Sequence, residues 1–161
     1  MEPRNLSRFA ALCSTDLYFS HLVDTGMAYD AVFVLVVEDE VLIRMSLVDQ
    51  LEDAGFRVLE AGTADEALSV MADHPEIDAL FTDVDMPGSM DGLKLARLVS
   101  QSRPELAVLL TSGYLKIPRN ELPGKAHFFS KPYDVNRIID HLRGIGTSER
   151  GADCADSPFT R

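Results

Sequence analysis

The sequence predicts a doubly wound α/β domain on a five-stranded parallel sheet, with a short or broken fourth helix. Three observations lead there. From Ala31 onward, short runs rich in Val, Leu and Phe alternate with longer stretches of helical spacing. The runs are apolar throughout, not at every second position, which is the pattern of strands covered on both faces. The order of the two patterns is βαβα, which a parallel sheet with right-handed helical crossovers satisfies.

The elements follow in order. VFVLVV, Val32 to Val37, is the first strand. A helix begins near Glu40, with Ile43, Leu47, Leu51 and Ala54 on one stripe and Gly55 in the stopping position. RVLEA is a short second strand. Thr63-Ala64-Asp65-Glu66 has the form of a capping box, in which Thr63 accepts from the backbone and Glu66 reaches back. The helix it opens turns Ala64, Ala67, Leu68 and Met71 inward and ends before Pro75. DALFT, Asp78 to Thr82, is the third strand, and a third helix runs from about Gly92 to Ser102, stopped by Pro104. LAVLLT, Leu106 to Thr111, is the fourth strand. Pro118 and Pro123 then limit any fourth helix, because an interior proline removes a hydrogen bond and clashes with the preceding turn. HFFS, His127 to Ser130, is the fifth strand, and Asp134 caps a last helix whose inward face is Val135, Ile138, Ile139 and Leu142. The count is five strands and roughly five helices.

The flanks differ. Residues 1–30 show no clear period and read as an N-terminal extension, with Met27 placed where it could serve as an internal start. Residues 31–145 form the patterned unit, and residues 146–161 are small and polar, the texture of a flexible tail. The chain has 161 residues, 46% hydrophobic and 25% charged, the size and composition of one ordinary globular domain. A net charge of −11 argues against direct nucleic-acid binding, which needs a Lys/Arg surplus. No apolar run approaches the ~20 residues of a membrane helix. The stretch FAALC is cut short by Ser14, Thr15 and Asp16, so it does not read as a signal peptide. Two cysteines, Cys13 and Cys154, give no disulfide framework and suit a reducing compartment. The expected location is the cytoplasm.

In an open α/β sheet, functional groups gather at the carboxyl ends of the strands. Strand one ends in Glu38-Asp39, strand three in Asp83-Val84-Asp85, strand four in Thr111-Ser112-Gly113 and strand five in Lys131-Pro132. Clustered carboxylates repel, by about 4 kcal/mol for two unit charges ~4 Å apart at an effective dielectric near 20. Such a group calls for a cation, and all-oxygen ligands without His or Cys at metal spacing favour Mg²⁺ over zinc. A carboxylate beside Mg²⁺ can accept a phosphoryl group as an acyl phosphate, with Lys131 neutralising charge and Thr111 donating a hydrogen bond. Each feature has an ordinary reading taken alone. Glu38-Asp39 is then an acidic pair at a helix N-terminus, Asp85-Met-Pro-Gly a turn, Lys131 a loop lysine and Thr111 a strand exit. Their joint arrival at successive strand ends outweighs those readings.

At these residues the chain resembles the receiver domain of two-component response regulators, over about residues 32–143. VLVVEDE resembles the family's first strand and acidic pair, LFTDVDMPGSMDGLKLA its phosphoacceptor strand, loop and helix, LLTSGY its hydroxyl-bearing strand, and FFSKPY its lysine-proline strand. The resemblance implies the flavodoxin-like receiver fold and a set of roles. Asp83 is the phosphoacceptor. Asp39 ligates Mg²⁺ directly, Glu38 mainly through water, and Asp85 through its backbone carbonyl, with Asp83 itself also a ligand. Lys131 contacts the phosphoryl group. Thr111 moves toward it, and Phe128 follows as the switch aromatic, with plain core packing as its alternative. Phe129 reads as core. The acid at Asp85 stands near the attacking water, so its effect on self-dephosphorylation is open in sign.

The TSGY and FFSKPY pattern is similar to short stand-alone receivers. The implied protein is therefore a single-domain response regulator. It is not an enzyme in its own right, although it assists its own phosphorylation and dephosphorylation. Its implied partners are a histidine kinase or histidine phosphotransfer protein and a downstream protein target, and its state a monomer or weak homodimer. A sink role in a phosphorelay stays open beside the transmitter role. Two rivals are weaker. A haloacid-dehalogenase-like phosphatase would carry its Asp-x-Asp pair after its first strand, not its third. A pseudo-receiver that only binds would not need the intact acids and lysine.

Overall fold

The computed structural model describes residues 31–114 and 117–148, with side chains described as far as residue 145. The expectations for residues 1–30 and for the tail beyond Ser148 lie outside the described residues. Five parallel strands, β1 (Phe33–Val37), β2 (Arg57–Ala61), β3 (Ala79–Asp83), β4 (Ala107–Ser112) and β5 (His127–Ser130), form one sheet in the order β2-β1-β3-β4-β5. Four α-helices cover it: α1 (Val41–Asp53), α2 (Ala64–Asp73), α3 (Gly92–Ser102) and α4 (Val135–Ser148). This is the doubly wound fold expected, with its strand order reversing beside β1 and β3.

Every residue of β1 and β3 is buried, whereas the edge strands β2 and β5 are partly exposed. Successive side chains on a strand face opposite sides, and β1 divides accordingly. Phe33, Leu35 and Val37 join the core beneath α2 and α3, while Val34 and Val36 join the core beneath α1 and α4. In the second core Ile138 and Leu142 of α4 and Leu47 and Leu51 of α1 are buried, which matches the inward stripes read from the sequence.

Local chemistry fixes the helix ends. Thr63 Oγ accepts from the Glu66 backbone N–H at 3.2 Å, as a capping box requires. The reciprocal bond differs from expectation. Glu66 Oε2 takes the Gly62 N–H at 2.8 Å and not that of Thr63. Gly55, just past α1, has φ +92°, the left-handed conformation that favours glycine. Asp134 Oδ1 accepts from Asn136 N–H at 2.9 Å at the start of α4.

Two boundaries differ from the sequence reading. Between β4 and β5 the described chain holds a single 3₁₀ turn, Arg119–Glu121, flanked by Pro118 and Pro123, so the described residues hold four α-helices where roughly five helices were expected. The last helix runs to Ser148, three residues into the stretch read as tail. With no long helix in the fourth crossover, a cavity of roughly 650 Å³ opens beside β5, lined by Ile117, Arg119, Leu122, Lys125 and Phe128. No described helix is long and apolar enough to cross a membrane.

Candidate functional site

Register brings the acids together. Val37 of β1 pairs with Thr82 of β3, so the next residues, Glu38 and Asp83, leave the sheet side by side. Asp83 pairs with Thr111 of β4, and Ser112 pairs with Ser130 of β5, so Lys131 also emerges one position beyond. Single carboxylate oxygens of Glu38, Asp39 and Asp83 lie within 4.8 Å of one another.

Glu38 is fully buried and Asp83 nearly so. A buried charge needs a partner, and Lys131 serves both. Its Nζ lies 2.6 Å from Asp83 Oδ2 and 2.9 Å from Glu38 Oε2. Burial raises the Glu38 carboxyl above its ordinary value, the Asp83 charge adds to this, and Lys131 offsets part of it. For Lys131, burial alone would lower the ammonium. The hydrogen bonds and charges of Asp83 and Glu38 outweigh burial and hold it above the ordinary lysine value. Three carboxylates with one ammonium leave a formal excess of two negative charges. An all-oxygen cluster of that charge fits a hard divalent cation.

Thr111 is fully buried, and its Oγ1 has no hydrogen-bond partner in the structure. Its carbonyl instead accepts from Val84 N–H at 2.8 Å, which ties β4 to the loop after β3. A buried hydroxyl left unpaired is costly, and this one stands beside Asp83 in register. Asp85 sits against Asp83 through its backbone N–H, which donates to Asp83 Oδ1 at 3.2 Å. Phe128 is half-buried against the first core and faces the cavity beside β5. Phe129 packs on the second core and edge-on to His141.

Three residues of the site were not singled out by the sequence for the work they do. Ser112 Oγ donates to Asp85 Oδ2 at 2.5 Å. Arg44 Nη1 donates to the Glu38 carbonyl at 2.5 Å, and its Nε pairs with Glu60 at 3.1 Å. Gly92 opens α3 directly against β3. A Cβ there would lie 1.8 Å from the Asp83 carbonyl oxygen and 2.8 Å from Thr82 Oγ1, both beyond any contact a side chain tolerates. The helix is held in that position by the Gly92 N–H to the Val84 carbonyl at 3.2 Å and by Asp91, whose Oδ1 caps Lys94 N–H at 2.7 Å. Gly92→Ala is therefore expected to destabilise the fold by about 3 kcal/mol, since the clash is with backbone and cannot be relieved by a rotamer. Denaturant unfolding tests this, and a variant within about 0.5 kcal/mol of the native protein would contradict the close approach.

A buried, lysine-paired carboxylate with two more acids, at the carboxyl edge of a doubly wound sheet, defines the acidic pocket of a receiver-type domain. Comparison with known proteins shows the family. The chain matches the response regulator receiver domain family over residues 34–143, and it belongs to that family. It is 37% identical over 115 residues to the sensor kinase CckA of Brucella abortus (strain 2308), covering 68% of this chain and 12% of that protein. It is 30% identical over 112 residues to the response regulator receiver protein CpdR of the same strain, covering 68% of this chain and 92% of that protein. Among solved structures, the receiver domain of NtrX from Brucella abortus is 33% identical with a TM-score of 0.63, covering 71% of this chain and 99% of that one. The receiver domain of the hybrid histidine kinase CckA is 30% identical with a TM-score of 0.59, covering 70% and 97%. The chain thus spans a small part of the kinase and nearly the whole of CpdR.

Proposed function

We propose that the chain works as a stand-alone response regulator in the cytoplasm, taking a phosphoryl group from the phosphohistidine of a histidine kinase or phosphotransfer protein onto Asp83. One observation carries the reading. The Asp83 carboxylate is grouped with Glu38 and Asp39 and has a lysine ammonium 2.6 Å from one oxygen.

Asp39 and Asp83 would hold Mg²⁺ directly, Glu38 through water and Asp85 through its backbone carbonyl. When bound, the ion supplies charge neutralisation that lets an anionic phosphoryl group approach an anionic carboxylate. The chain's own residues do the rest. An Asp83 oxygen attacks phosphorus in line, the bond to the donor imidazole breaks, and the imidazole nitrogen keeps the electron pair. Lys131 Nζ, already beside Asp83, stabilises the transferred charge. Thr111 Oγ1 turns to a phosphoryl oxygen and gains the partner it lacks. Phe128 then shifts, with the adjoining cavity as the space in which its ring rearranges. This changes the face around β5 that a downstream protein reads.

The test uses a purified histidine kinase or phosphotransfer protein carrying labelled phosphohistidine, mixed with this chain and Mg²⁺. Label is expected to pass to the chain and to stop passing when the metal is chelated. If several such donors all retain their label, the proposal fails.

A further inference from the structure

Four groups at the mouth of the pocket form a continuous hydrogen-bonded chain. Asp85 N–H donates to Asp83 Oδ1 at 3.2 Å. Ser112 Oγ donates to Asp85 Oδ2 at 2.5 Å, and the same oxygen accepts from Tyr114 N–H at 3.2 Å. Ser112 is itself buried, whereas Asp85 is exposed. The Ser112 carbonyl also accepts from Lys131 N–H at 2.9 Å, so the serine is fixed to the strand that delivers the lysine. Two successive hydroxyls at the end of β4 thus have opposite standing. Thr111 Oγ1 is unpartnered, while Ser112 Oγ is committed to a carboxylate.

We infer that Ser112 is a positioning residue that acts through Asp85, holding its carboxylate against the end of β4 and away from the line of water attack on a phosphorylated Asp83. This rests on Asp83 being the phosphoacceptor. In hydrolysis of the acyl phosphate, a water oxygen bonds to phosphorus and the bond from phosphorus to the Asp83 oxygen breaks. The Asp83 carboxylate is regenerated, inorganic phosphate leaves, and one water proton passes to a base or to solvent. Asp85 is two residues from Asp83 on the solvent side, so a free carboxylate there can orient that water and take its proton. The structure instead ties one of the two carboxylate oxygens, Oδ2, to β4 in a short charge-assisted bond, and the same serine oxygen accepts from Tyr114 N–H. Ser112 therefore lengthens the life of the phosphorylated state.

The experiment labels the chain with a small-molecule acyl phosphate and Mg²⁺, removes the donor and follows loss of label. Ser112→Ala is expected to lose label about threefold faster or more than the native chain. Ser112→Thr, which keeps the hydroxyl, is expected to restore the native lifetime. In an Asp85→Ala background, Ser112→Ala is expected to change nothing, because the group it positions is gone. A second readout needs no phosphoryl group. Exchange of the Tyr114 amide hydrogen is expected to quicken in Ser112→Ala and recover in Ser112→Thr, while amides of β1 stay protected in both. Equal lifetimes in Ser112→Ala and native protein, or the same acceleration with and without the Asp85 carboxylate, would overturn the inference while leaving Asp83 as acceptor. A native chain that takes no label would overturn both readings together.

Discussion

Asp83→Asn is expected to reduce phosphoryl labelling to background, at least about 100-fold below the native level, because the amide has no anionic oxygen to attack phosphorus. The substitution is otherwise conservative in shape. The Asn carbonyl oxygen can keep the bond from Asp85 N–H, and Lys131 keeps Glu38. What changes is charge. Asp83 is one of the groups that raise the Glu38 carboxyl, second to burial itself. Removing it relieves repulsion within the cluster, so the metal-free variant is expected to be at least as stable as the native chain in thermal unfolding. Mg²⁺ affinity is expected to fall by about tenfold or more, since one anionic oxygen of the set is lost. Full labelling of Asp83→Asn would move the acceptor elsewhere. Loss of labelling through unfolding would show in the same melt and would not count as support.

The parts of this design that lie within one element were legible in the sequence, and those between elements were less so. β1, β3 and β4 announced themselves because burial on both faces demands unbroken apolar runs, and RVLEA and HFFS were found although edge strands are half-exposed. The acids, Thr111 and Lys131 could be gathered on one edge because parallel strands place all their carboxyl ends together. The two prolines point to a short or broken fourth helix but not to the 3₁₀ turn between them. Side-chain choices made across elements left no local signal. Glu66 prefers the Gly62 amide to that of Thr63, Arg44 spans from α1 to the Glu38 carbonyl, and Ser112 selects Asp85 27 residues away. Gly92 read as a helix start. Its closeness to the Asp83 carbonyl follows only from how α3 docks on β3.

Lys131→Met is expected to destabilise the metal-free chain by about 3 kcal/mol near neutral pH, and its deficit is expected to shrink on acidification. The side chain is four-fifths buried and pairs with two carboxylates, one fully buried. Methionine fills similar space, so the loss is electrostatic and not a cavity. In the native chain the folded-state value of Lys131 is raised above the ordinary lysine value. The stability it contributes is therefore fully present throughout the neutral range and is lost only as pH climbs through that raised value. Glu38 has the opposite consequence. Its carboxyl is raised in the folded state, so the folded chain binds a proton more tightly than the unfolded one. Stability accordingly falls as pH rises from the ordinary value of 4.5 through the raised one. Lys131 partly offsets that rise, so removing it widens the window. Lys131→Met should thus regain more stability than the native chain between about pH 7.5 and about pH 5. Mg²⁺ should also stabilise the variant more than the native chain, because three carboxylates without their ammonium attract a divalent cation more strongly. Denaturant unfolding at the two pH values, with and without Mg²⁺, measures all of this. A deficit that stays the same at both would mean that the lysine does not serve the buried acids.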